Sequence, residues 1–86
     1  MVHLEQTNAF RNARQRVDTL LSCVRVVADE PVKLAGMFAV LEDALQDARR
    51  AAEDIADPRA ARRARVEYMR DVQRVRHLRR LHKPAA

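Results

Sequence analysis

The chain has 86 residues, a formal net charge of +5, 48% apolar and 34% charged residues, one glycine, one cysteine and only three aromatic side chains. That length leaves room for a single helical domain, 1–86, with a thin core; the composition is too apolar for a disordered chain and too poor in aromatics for a strand-built one, so the expected class is all-α. Charges interrupt every apolar run well short of a bilayer span, and the start Met1-Val2-His3-Leu4-Glu5 lacks the basic and long apolar regions of a secretory signal, so a soluble, cytoplasmic protein is expected.

In the first segment Phe10, Ala13, Val17, Leu20, Val24 and Val27 recur at steps of three and four, one stripe of a helix running from about 7 to 28. Arg11, Arg14, Gln15, Asp18, Ser22 and Arg25 fall off that stripe and should face water or a partner. Cys23 has no second cysteine to pair with, and its apolar neighbours make it a small core residue.

Two acid-proline steps, Asp29-Glu30-Pro31 and Asp57-Pro58, punctuate the chain. Proline fixes its own φ and has no N–H, so it is accepted in a first helical turn and breaks a helix interior. The residue before it is pushed out of the helical region. Each step therefore starts a helix, with Asp29 or Glu30 and then Asp57 available to accept hydrogen bonds from the free amides of the new first turn.

The second helix is expected over 31 to 56. Leu34, Phe38, Leu41, Leu45, Ala48, Ala52 and Ile55 form a heptad-like seam, and the first half, from Val32 to Leu41, is apolar on every side except Lys33. Such a half must be covered from more than one direction, and Gly36 within it suggests a close helix crossing.

The third helix is expected over 58 to 81. It lines up Ala61, Ala64, Tyr68, Val72, Val75 and Leu78 toward a core and sets Arg59, Arg62, Arg63, Arg70, Arg74, His77 and Arg80 on the opposite side as an arginine ridge. The tail Lys83-Pro84-Ala85-Ala86 should fray. Charge divides with the segments: 1–28 carry four basic and two acidic groups, 29–57 three and eight, 58–86 ten and two. If the helices run up, down and up, Glu53 and Asp54 come near Arg62 and Arg65.

Two architectures fit this pattern, a three-helix bundle or a helical hairpin completed by oligomerisation, the second arising if the short Asp57-Pro58 joint lets two helices run on as one kinked rod.

For function, a catalytic, metal or cofactor site has little to build it. His3, His77 and His82 lie near the chain ends, the last two are five residues apart and so on different helix faces, and no HExxH, CxxC or glycine-rich phosphate loop occurs. The expected role is a non-catalytic helical interaction or adaptor protein. It would self-associate or bind a helical partner through its apolar seams, with Leu21, Met37, Phe38 and Val40 as interface residues and the basic third helix meeting an acidic surface. The alternative partner is nucleic acid, bound through phosphates along the ridge. Gln73 is the one amide on that face and Tyr68 points to the core, so such binding would be sequence-tolerant. A membrane surface ranks third, because the apolar side of the third helix is small at Ala61 and Ala64 and is needed for the core.

Overall fold

In a computed structural model the chain forms three α-helices, α1 (Val2–Val26), α2 (Pro31–Glu53) and α3 (Pro58–Leu81), packed up, down and up into a rod of 48 × 17 × 15 Å. The structure describes residues 2–82, with side chains from Thr7 onward; the expectation for the tail 83–86 lies outside the described residues. α3 folds back on both α1 and α2, so the chain is a three-helix bundle and the continuous rod is excluded. α1 and α2 share the broadest contact, and α1 and α3 the narrowest.

The helix ends follow local chemistry. At the start of α3 the Asp57 carboxylate accepts a hydrogen bond from the Ala60 amide at 2.9 Å, as an N-cap should. Glu30 stands at the N-cap of α2 but makes no such bond, and its carboxylate pairs instead with Lys33 Nζ at 3.0 Å. α1 starts five residues before the expected point, since His3 to Gln6 contain nothing that breaks a helix, and it ends at Val26 in a turn over 27–29. α2 ends at Glu53 and not at 56. The Asp54 amide closes the last helical turn on Arg50, and Ile55 then leaves helical geometry to bury its side chain at the base of the bundle.

The core falls into two clusters along the rod, with half-buried Tyr68 packed against both. At one end Val17, Leu21, Val24, Phe38, Leu41, Leu45 and Val75 pack with Ala44, flanked by half-buried Leu20, Leu34, Met37, Tyr68, Val72 and Leu78. At the other, Phe10 and Ile55 pack against Ala48 and Ala64 with a fringe of half-buried alanines. The core is thus alanine-rich where α2 turns into α3 and built of larger side chains where α1 turns into α2.

Three expectations change on this scaffold. Leu21 and Phe38 are buried in the chain's own core and are not surface anchors; Met37 is half-buried against the same core, and Val40 is partly exposed. Gly36 marks no helix crossing, because a β-carbon there would meet no atom of another element within 4 Å. The apolar first half of α2 is instead left partly open, with Val32 87% exposed. Cys23 is half-buried and free.

Gly36 is thus an exposed glycine in a helix interior, where its backbone freedom is lost on folding with no packing gain. Gly36→Ala should stabilise the fold by about 0.5–1 kcal/mol in urea unfolding. A loss of stability would show that the site is covered after all.

Candidate interaction surface

α3 carries nine arginines and two acids between Pro58 and Leu81. The acids do not share the outer face. Asp71, fully buried at 0% exposure, lies on the core stripe between Ala64 and Val75, and Glu67 stands half-buried one turn before it. Both point to α1. Arg14 Nε donates to Asp71 Oδ2 at 2.8 Å and Arg14 Nη2 to Oδ1 at 3.1 Å, while Arg14 Nη1 lies 3.5 Å from Glu67 Oε2. Arg74 Nη1 donates to Asp71 Oδ1 at 3.1 Å and to Asp18 Oδ1 at 2.7 Å.

This network crosses the narrowest contact of the bundle. Its geometry is the fork-to-carboxylate pairing that arginine makes best, and every buried side-chain polar atom among the described residues has a partner. Hydrogen bonding to Asp71, then its charge and those of Glu67 and Asp18, push the Arg14 guanidinium above its ordinary pKa against the opposing effect of burial. Arg74 is raised in the same way, first by its hydrogen bond to Asp18. A base whose folded pKa is raised contributes stability that is complete below its unfolded pKa and is lost only as pH climbs through the folded value. For arginine that window lies beyond the alkaline limit of most folds.

Two of the nine arginines are therefore engaged at the α1 side or the α2 side: Arg74 in the network, and Arg79, which pairs with Glu42 and places its guanidinium carbon 5.5 Å from the centre of the Phe38 ring. The expected pairing of Glu53 and Asp54 with Arg62 and Arg65 does not form. Glu53 borders the same groove as Arg65, but its carboxylate is taken by Arg49 of its own helix at 3.0 Å. Arg59, Arg62, Arg63, Arg65, Arg70, Arg76 and Arg80 remain, all exposed and none with an acidic partner among the described residues.

Against the sequence reading, Arg59, Arg62, Arg63, Arg70, Arg74, His77 and Arg80 are all exposed along α3, and Arg74 differs from the others in pairing with Asp18 and Asp71. The reading missed Arg65 and Arg76, which flank the ridge, and the two apolar side chains in its middle, Val66 at 49% and Met69 at 45% exposure. Val66, Met69 and Gln73 recur at i, i+3 and i+7, a spacing that marks a second, outward stripe. Arg65, Val66, Met69, Arg70, Gln73 and Arg74 line a shallow, almost wholly apolar depression there. From Arg59 to Arg80 the basic face extends about 32 Å by helical rise.

Among the described residues no three His, Cys, Asp or Glu side chains gather as metal ligands would, and no helix is long and apolar enough to cross a membrane.

Removing Arg14 leaves Asp71 buried with one of its two cations, whereas the Arg16–Asp47 pair at 3.2 Å is exposed on both sides. Arg14→Met should cost about 3 kcal/mol in urea unfolding and Arg16→Met no more than about 1 kcal/mol. Because arginine does not titrate there, the difference between wild type and Arg14→Met should stay constant from about pH 7 to about pH 10. Equal costs for the two variants would mean that Asp71 is not sealed from water.

No protein-family model, curated protein or solved structure matches the chain, so the reading of this surface rests on its own geometry.

Proposed function

We propose that the chain is a non-catalytic interaction protein that docks an acidic protein partner on the outer face of α3. The observation that carries this reading is the inward turn of both acids of α3, which leaves seven arginines unneutralised around the exposed pair Val66 and Met69. Protein interfaces combine an apolar centre with a polar rim, and methionine and arginine are enriched in them. A centre of Val66 and Met69 ringed by Arg62, Arg63, Arg65 and Arg70 has that composition. Leu21 and Phe38 take no part, being spent on the core, and this weakens self-association through the main seams as the primary mode.

Nucleic acid is the second reading, favoured by the length of the basic face. A helix that neutralises several phosphates binds with steep salt dependence. Two features make it second. The outer face offers Gln73 alone for base edges, with Tyr68 half-buried against both core clusters and so withheld from stacking. The apolar pair at its centre has no use against a phosphate backbone.

The test compares wild type with Arg62→Glu/Arg63→Glu/Arg70→Glu and with Val66→Ser/Met69→Ser, all at exposed positions. Arg74 is left intact because its loss would disturb the α1–α3 network. Affinity capture from a lysate, with size exclusion and light scattering on mixed-sequence duplex DNA and RNA at low and high salt, reads both surfaces. Docking of an acidic partner predicts a captured protein that both variants lose, and nucleic-acid binding confined to low salt. If the arginine variant captures everything the wild type does, the reading is wrong. A DNA or RNA complex that persists near physiological salt and ignores Val66→Ser/Met69→Ser would put the second reading first.

A further inference from the structure

The end of the rod where α1 turns into α2 holds a groove of about 930 Å3 between the first two turns of α2 and the last turns of α3. Its two walls differ in chemistry. On the α2 side Pro31, Leu34, Ala35 and Phe38 make an apolar surface; on the α3 side stand Arg76, Arg79 and Arg80. No carboxylate lines it. Arg79 is fixed across Phe38 by its pairing with Glu42, so it forms part of the wall, whereas Arg76 and Arg80 have no acidic partner among the described residues.

We propose that this groove binds a single-chain anionic amphiphile, a fatty carboxylate, with the hydrocarbon tail along Pro31, Leu34, Ala35 and Phe38 and the carboxylate between Arg76 and Arg80. Charge complementarity selects the head group: two unpartnered arginines four residues apart have β-carbons about 5–6 Å apart on one helix face, and guanidinium forks match a carboxylate bidentately. The apolar wall selects the tail, and the volume falls within the range of small-molecule sites, about 300–1,000 Å3. A docked partner helix is the poorer fit. It is about 10 Å across and needs apolar cover on both flanks of its stripe, while here one wall is apolar and the other is cationic. A thin chain with one charged end meets both walls.

The site shares Arg76 and Arg80 with the basic face of α3, but not Val66, Met69 or the ring Arg62, Arg63, Arg65 and Arg70, so separate variants test the two readings. The experiment is isothermal titration of the full chain with laurate below its micellar concentration, with dodecyltrimethylammonium as the cationic control. Ala35→Glu places a carboxylate on the exposed apolar wall, and Arg76→Glu/Arg80→Glu reverses the head-group site; circular dichroism checks that both stay helical. The expected result is saturable one-to-one binding of laurate, weakened at least about tenfold in each variant, unchanged in Arg62→Glu/Arg63→Glu/Arg70→Glu, and absent for the cation. No saturable laurate binding, equal binding of the cation, or affinity held within about twofold in both groove variants would overturn the proposal.

Discussion

Asp71 carries a carboxylate into the seam between α1 and α3 where water does not reach it, and the way that charge is met decides how α3 sits. Burying a lone carboxylate costs several kcal/mol even after relaxation. Here Arg14 answers it with two hydrogen bonds from α1 and Arg74 with a third from its own helix. If α3 rotated by one residue, about 100°, Asp71 would swing away from Arg14, so the hydrogen-bonded geometry holds a narrow range of rotations. The apolar stripe alone is less selective, since Ala60, Ala61 and Ala64 would accept several small rotations at the alanine-rich end of the bundle. Such polar fixing of register suits a bundle whose α1–α3 contact is the slimmest of its three.

The outer surface follows from that inward geometry. With Asp71 and Glu67 turned to Arg14, α3 has no acid left to shield its exposed side, and its arginines stand around Val66 and Met69. One structural solution thus serves two ends. The same acids that orient the helix leave its outer face uniformly basic. The apolar first half of α2 is a separate matter: three helices cannot wrap it in a rod 48 Å long and 17 Å wide, so Val32 stays in water while Pro31, Leu34 and Ala35 border the groove at that end.

Much of the architecture was legible in the sequence because proline and heptad spacing act locally. Pro31 and Pro58 start helices exactly where their missing amides are tolerated, and Phe10, Val17, Val24, Leu41, Leu45, Ala48 and Val75 are buried as their periodicity requires. What the sequence hid depended on contacts between segments. Arg14 and Arg74 read as solvent-facing by helical angle; the approach of α1 to α3 turns Arg14 inward to Asp71, while Arg74 stays exposed and reaches Asp18 across the seam. Asp71 did carry a signal, being seven residues after Ala64 and four before Val75 on the buried stripe, but an acid at a core position makes sense only with its cations in view. The burial of Leu21 and Phe38 was hidden because the capacity of three helices to cover α2 cannot be judged from one helix at a time.

A thermodynamic double-mutant cycle on Arg14 and Asp71, using Arg14→Met, Asp71→Leu and the pair together in urea unfolding, tests most directly whether this buried charge organises α3. The account predicts a coupling energy above about 1.5 kcal/mol, with the double variant more stable than Arg14→Met alone because the carboxylate that needed a partner is gone. Additive losses, with no coupling, would contradict it: Asp71 would then be stabilised without Arg14, and the orientation of α3 would have to come from packing alone.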